Sequence, residues 1–245
     1  MRDEEEPAKT LIRVEGVGKT YQRGRERLQV LKDLSLNIRE GAYEALMGPS
    51  GSGKSTLLNL IAGLDNPSEG RVLVDGTDLG AMGEGKRAAW RAANVGFIFQ
   101  TYNLMPVLTA LENVELPLLL TKLGKSERKR RAQTALKVVG LEDRASHRPD
   151  QLSGGQQQRV AIARAIVTDP KILPIVTDPR IVVADEPTGD LDRQSADEIL
   201  ELLEKLNTDF GKTILMVTHD PAAADRAQVI HQLDKGALAS QAAPS

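Results

Sequence analysis

The sequence predicts an α/β fold organised on a mainly parallel sheet. Three observations carry this. Strand-like apolar runs alternate with amphipathic helical patterns over most of the chain. Residues 181–184 (Ile-Val-Val-Ala) are apolar without interruption, as a strand covered on both faces must be. A glycine-rich turn joins the strand-like segment 43–47 directly to a helical pattern beginning at Lys54.

Each element follows from its own residues. Residues 1–8 are acidic and read as a frayed tail. Leu11, Ile12, Val14 and Val17, then Leu28, Val30, Leu34, Leu36 and Ile38, alternate on either side of the turn-like Gln22-Arg23-Gly24-Arg25, which predicts antiparallel strands. A helix over 54–62 places Leu57, Leu58 and Ile61 on one face, with Gly63 to stop it. Residues 71–74 and 95–99 read as short strands. From 111 to about 141 the pattern is helical, and its basic stretch Lys125-Ser-Glu-Arg-Lys-Arg-Arg131 reads as a solvated helix face. This break in the alternation predicts an inserted helical subdomain. A helix starts near Ser153 and runs through Val160, Ala163 and Val167. Residues 196–206 form an amphipathic helix on Ile199, Leu202, Leu203 and Leu206, and 213–218 form another buried strand. Between the last two regions, Ile166-Val-Thr-Asp-Pro170 recurs nine residues later as Ile175-Val-Thr-Asp-Pro179. Proline stops helices, so the first copy is expected to end the preceding helix and the second to lead into the strand at Ile181. Pro174 argues against a regular central strand in the first copy.

Composition narrows the function classes. The chain has 245 residues, 40% hydrophobic and 27% charged, an ordinary globular mix with ample core. Lys and Arg total 32 against 34 Asp and Glu, a net charge of −2, which gives no whole-chain signal for nucleic acid or an anionic membrane. The absence of cysteine excludes disulfides, cysteine-based zinc sites and a cysteine nucleophile. No apolar run reaches the ~20 residues that span a bilayer. The start MRDEEEP is acidic where a secretory signal is basic and then apolar, so a cytoplasmic protein is expected.

Three motifs carry chemistry. Gly48-Pro49-Ser50-Gly51-Ser52-Gly53-Lys54-Ser55 fits G-x-x-x-x-G-K-[ST], followed by Thr56. Its glycines let backbone N–H groups turn inward around a phosphate chain, and the helix behind it presents its positive end. Lys54 reaches the β- and γ-phosphates, and the Ser55 hydroxyl can ligate Mg²⁺. Asp185 ends a buried strand, where a carboxylate is costly without a partner such as hydrated Mg²⁺. Glu186 follows and can polarise an attacking water as general base. Leu152-Ser153-Gly154-Gly155-Gln156 opens another helix, with Ser153 able to cap it and two glycines exposing its first N–H groups. Alone, that tripeptide reads more often as a flexible helix-entry loop.

Together, the motifs resemble those of the ATP-binding cassette (ABC) transporter ATPases, whose signature is LSGGQ, here LSGGQQQRVAIARAI. The resemblance covers about residues 10–235, with the motifs in the family's order. It implies a P-loop NTPase cassette with a mainly parallel core sheet, an N-terminal antiparallel β-subdomain and an inserted α-helical subdomain. The expected division is a tail over 1–8, a core over 9–100 and 165–235, and a helical subdomain over about 101–164 that carries the signature. It further implies that LSGGQ of one copy closes over ATP held by the phosphate loop of a second copy, giving a head-to-tail homodimer with two ATP molecules at its interface. Residue by residue, Tyr21 in KTY matches the aromatic that stacks on adenine. Gln100 in GFIFQ matches the glutamine near Mg²⁺ and the attacking water. Asp192 in GDLD matches the aspartate linking the two sites, and His219 in THD matches the histidine that contacts the γ-phosphate. Without the family, Gln100 reads as a surface residue and a lone histidine as structural. His147 and His231 receive no role.

The stretches YNLMPVLTALENVELPLLL and ADEPTGDLD look like the subgroup of lipoprotein-release, macrolide-export and cell-division-type ATPases. That implies a Mg-dependent ATPase subunit driving a separate membrane permease, with a periplasmic adaptor in some systems and no nucleic acid, peripheral on the inner face of the cell membrane. A permease coupling helix is expected at a groove near 101–121. Two features depart from the family pattern. The nine-residue repeat lengthens the link before the Asp185 strand, which keeps open a regulatory cassette without useful turnover. Glu44 puts a charge in an otherwise apolar strand and is expected near that strand's exposed start.

Overall fold

The structure is a computed structural model that describes residues 9–24, 26–168 and 180–239. The expected tail over 1–8, Arg25, and the part of the repeat from Asp169 through Pro179 lie outside the described residues.

Two sheets organise the chain. The first is antiparallel, with order β2-β1-β4-β5, from β1 (Thr10–Arg23), β2 (Glu26–Arg39), β4 (Glu69–Val74) and β5 (Thr77–Asp78). The second has order β10-β9-β3-β8-β7-β6, from β3 (Tyr43–Met47), β6 (Val95–Ile98), β7 (Ile181–Asp185), β8 (Thr213–Val217), β9 (Val229–Asp234) and β10 (Ala237–Leu238). Its pairs are parallel except β9 with the edge strand β10.

The alternation of side chains along a strand divides the interior into two cores. From β7, Val182 and Ala184 face one core with Ile162 and Ile166 of α5 (Gly154–Ile166) and Ile199 and Leu203 of α6 (Arg193–Thr208). Ile181 and Val183 face the other, with Leu57, Leu58 and Ile61 of α1 (Lys54–Ile61) and the apolar face of the antiparallel sheet. Burial on both faces explains why this strand has no polar residue before Asp185. Each such leucine or isoleucine contributes roughly 1.5–3 kcal/mol on burial. Gly63, at φ 68, follows the Ala62 cap of α1.

The region expected to be helical, from 111 to about 141, is helical in separate pieces. It contains α3 (Ala110–Glu115), a 3₁₀ turn (Leu116–Leu120) with Pro117 near its start, and α4 (Lys125–Val138). Pro117 lacks the N–H that a continuing α-helix requires. The basic stretch is not wholly solvated either. Arg131 is buried against Glu127, and hydrogen bonds from Arg130 first and Arg131 second hold the Glu127 carboxyl down at about 2. A helix the sequence pattern does not announce is α2 (Glu84–Asn94), whose one fully buried residue is Arg87 and whose Trp90 packs partly buried against the second core. The first copy of the repeat begins as expected, at the end of α5. Among the described residues, no helix is long and apolar enough to cross a membrane.

Glu44 is not at an exposed strand start. It is 4% exposed, and its Oε2 lies 2.5 Å from Nε2 of the equally buried His231 on β9. A charge-bearing side chain is tolerated there because it has a dedicated partner. His231→Ala, which leaves Glu44 buried alone, is expected to lower unfolding free energy in urea by about 3 kcal/mol. The double variant Glu44→Leu/His231→Leu is expected to recover most of that loss.

Candidate functional site

The phosphate loop leaves β3 at Met47 and enters α1 at Lys54, pressed between neighbouring strands. A Cβ on Gly48 would lie 2.1 Å from the Leu233 carbonyl oxygen of β9. Gly53, the cap of α1, has φ 102, and a Cβ there would lie 2.7 Å from Leu31 Cδ2. Only glycine fits either place. The Lys54 side chain is buried along its stem, and Nζ donates to the carbonyls of Gly48 (2.8 Å) and Pro49 (3.0 Å). The ammonium therefore sits over the loop. Ser52 Oγ is buried beside it with no partner, an available donor. Ser50, Gly51, Gly53, Lys54, Ser55 and Thr56 line a cavity of 360 Å³. Its apolar wall is Leu28 and Val30 of β2.

Asp185 ends β7, and Ser55 Oγ donates to its Oδ1 at 3.1 Å. Burial raises the Asp185 pKa. The Ser55 hydrogen bond opposes the rise, Glu186 adds to it, and the Lys54 charge opposes it. Glu186 adopts φ 48, in the left-handed region, and its N–H donates to the Val217 carbonyl of β8 at 2.9 Å. Its Oε2 lies 3.1 Å from His219 Nδ1, just past β8. Glu186 borders the phosphate-loop cavity and also a second cavity of 350 Å³ with Gly189, Thr218 and His219. Gln100, just past β6, donates from Nε2 to Asp190 Oδ1 at 3.2 Å.

Tyr21 lies on β1 opposite Leu28 and is 39% exposed. Its hydroxyl donates to Asp65 Oδ2 at 2.8 Å, and Lys19 Nζ sits 4.7 Å from its ring centroid. Tyr21 is not among the residues lining the 360 Å³ cavity, whereas Leu28 and Val30 are. Sequence reasoning missed those two as site residues. No pattern in the sequence marks them, because the 65% exposure of Leu28 beside the hairpin turn arises only in the fold.

None of the LSGGQ residues lines either cavity. Within this chain they build a helix start. Ser153 Oγ accepts from Gln156 N–H at 3.3 Å, and Gln156 Oε1 accepts from Ser153 N–H at 3.0 Å, a reciprocal cap on α5. The glycines also permit close packing. A Cβ on Gly154 would meet the Tyr102 hydroxyl at 3.0 Å, and one on Gly155 would meet Ser195 of α6 at 3.0 Å. Asp192 caps α6 by accepting from Ser195 N–H (3.0 Å) and Oγ (2.7 Å), which holds its carboxyl below the usual range.

These donors fit a nucleotide polyphosphate. An ammonium, an unpaired buried hydroxyl and a helix N-terminus converge on one loop. Ser55 and Asp185 offer hard oxygen ligands. Among the described residues, no group of three or more Asp, Glu or His side chains could hold a metal alone. A cation here would need water and phosphate oxygens to complete its shell, which suits Mg²⁺.

Comparison with known proteins agrees with this arrangement. The chain matches the ABC transporter family over residues 31–189. It is 46% identical over 230 residues to an uncharacterized ABC transporter ATP-binding protein of Thermotoga maritima, covering 94% of each chain. It is 48% identical over 228 residues to the macrolide export ATP-binding/permease protein MacB 1/2 of Paracoccus denitrificans, covering 93% of this chain and 33% of that longer protein. It superposes with TM-score 0.83 on the ATP-binding cassette MJ0796 of Methanocaldococcus jannaschii, solved as a dimer in a post-hydrolysis state bound to ADP and Pi. Identity to that structure is 44%, with 94% of this chain and 97% of the other covered. Similarity in both sequence and fold, sustained over nearly the whole length of single-cassette relatives, makes this chain a member of the ABC transporter family.

Proposed function

We propose that this chain binds and hydrolyses ATP as the cassette subunit of an ABC transporter or mechanotransmission complex of the export and lipoprotein-release type. In this reading it works as a head-to-tail homodimer that drives a separate membrane permease from the cytoplasmic face. The observation that carries the reading is the position of Glu186. It borders both cavities, follows Asp185 directly and lies 3.1 Å from His219. The dimeric MJ0796 structure with ADP and Pi and the ATP-binding/permease relative support the assignment.

In the reaction, Tyr21 packs on adenine beside Leu28. The backbone N–H groups over residues 48–55 surround the phosphates, and Thr56 extends the cradle. Lys54 exchanges the Gly48 and Pro49 carbonyls for β- and γ-phosphate oxygens. Ser55, Asp185 and Gln100 are assigned to Mg²⁺, which when bound neutralises phosphate charge. Glu186 takes a proton from water as its oxygen bonds to the γ-phosphorus. The bond to the bridging oxygen breaks, and ADP leaves with the electron pair. Gln100 orients the water and His219 contacts the γ-phosphate. Ser153, Gly154, Gly155 and Gln156 of a second copy close over the same ATP, and Asp192 joins the two sites. Catalysis is then mainly positioning and charge stabilisation. We assign permease docking to the apolar surface around Met105, Val107, Leu119 and Leu120, all exposed.

Glu186→Gln is expected to bind ATP and accumulate as a dimer, with turnover lowered by about 100-fold or more in a phosphate-release assay. Unchanged turnover would remove Glu186 as the base. Lys54→Ala is expected to lose ATP binding in a nucleotide-affinity measurement. Gly53→Ala should lose it too, because the new methyl displaces β2 from the loop. The raised Asp185 pKa means that, above that pKa, the folded chain carries a buried charge the unfolded chain leaves in water. Asp185→Asn is therefore expected to raise Tm of the nucleotide-free chain at pH 7. That gain should shrink as the pH falls through the raised pKa, because the native wild-type chain then takes up the proton. Calorimetry across pH checks the trend.

A further inference from the structure

The third glutamine of the run Gln156-Gln157-Gln158 is set apart by its burial. Gln158 sits one turn into α5 with no solvent exposure. Its Nε2 donates to the Pro187 carbonyl at 2.7 Å and to the Phe99 carbonyl at 3.4 Å. Both neighbours are acceptors, so the amide must present its NH₂ group and not its oxygen to them. Phe99 immediately precedes Gln100, and Pro187 immediately follows Glu186. One buried carboxamide thus ties the backbone beside the water-orienting residue to the backbone beside the general base.

Arg164, two turns further along the same helix, holds the other end of the Gln100 segment. Its Nη2 donates to the Tyr102 carbonyl at 2.8 Å and its Nη1 to the Asn103 carbonyl at 2.5 Å. Tyr102 and Asn103 both adopt left-handed backbone, at φ 54 and 48. Such residues keep that conformation only where the surroundings impose it. Glu186 is left-handed as well. The signature helix therefore clamps two strained turns, one carrying each half of the water-activating pair. Gln158 Oε1 remains buried without a partner, so only the NH₂ end of the side chain is engaged.

We propose that Gln158 is a positioning residue for hydrolysis. It fixes the spacing between Gln100 and Glu186 within one chain, and any displacement of the segment 100–103 reaches Glu186 through it. This rests on the ATPase reading above.

The test compares three forms of the full-length chain: Gln158→Met, which keeps length and volume but has no donors; Gln158→Glu, which keeps shape but loses the paired N–H groups; and Glu186→Gln. Rates are normalised to the fraction competent to bind ATP, so partial misfolding does not count as lost catalysis. Both Gln158 variants are expected to lower kcat by about 10- to 100-fold, with KM for ATP within about twofold of wild type. ATP-driven dimerisation of Gln158→Met/Glu186→Gln should match that of Glu186→Gln. If Glu186→Gln stops turnover while Gln158→Met keeps wild-type kcat, the inference is overturned and the ATPase reading stands. A kcat loss matched by equal losses of ATP affinity and dimerisation would also overturn it, since that marks a general packing role. Turnover surviving in Glu186→Gln would remove the ATPase assignment of Glu186 and this inference with it.

Discussion

The parallel register of four strands is the constraint on which the site depends. Leu46 of β3 and Asp185 of β7 both lie opposite Val217 of β8, and Ala184 lies opposite Ile98 of β6. The chain consequently leaves the sheet four times along one edge, just after Met47, Asp185, Val217 and Ile98. Those exits deliver the phosphate loop, Glu186, His219 and Gln100. Ligands of open parallel sheets gather outside the carboxyl ends of the strands for this reason. Segments far apart in sequence converge without any direct bond between Lys54 and Gln100, because the backbone ladders have already set their heights.

The edge is costly to maintain. Asp185 is held where burial favours its neutral form, and Glu186, Tyr102 and Asn103 occupy backbone conformations that non-glycine residues avoid. Conformations of this kind cost of order 1–3 kcal/mol each and persist only where neighbours enforce them. The enforcement is visible in the Val217 carbonyl under Glu186, the Arg164 guanidinium on the two carbonyls, and the glycines that admit β9 and Leu31 against the phosphate loop. Stability surrendered at the edge is supplied by the two apolar cores, which share β7 between them.

Much of this was legible in the residues themselves. The strand at 181–184, the helix from Lys54 and the helix after Ser153 announce themselves because burial on two faces, an apolar stripe and a capping residue each leave a local pattern. The motif spacings carried the candidate phosphate contacts for the same reason, being local. What escaped notice depends on partners distant in sequence. Helix α2 fully buries only an arginine and meets the core through a single partly buried tryptophan, Trp90. Glu44 reads as an intruder until His231 arrives 187 residues later. Gln158 is indistinguishable from Gln156 and Gln157 in sequence, since only the approach of Phe99 and Pro187 gives it work. Leu28 and Val30 enter the candidate site through the curl of a hairpin against the loop, which periodicity does not encode.

The Glu44–His231 pair has a consequence for how the chain finds its fold. β9 joins the sheet late in the sequence and along the flank of β3, with Leu46 opposite His231. A slide of one residue would still give parallel hydrogen bonds. It would, however, turn the imidazole to the opposite face and put Ile230 or Gln232, neither of them able to carry a positive charge, in its place beside Glu44. The pair therefore acts as a key cut for one alignment. β9 seats where the Leu233 carbonyl comes to rest against Gly48, so a strand near the end of the chain also checks the shape of the phosphate loop near its start.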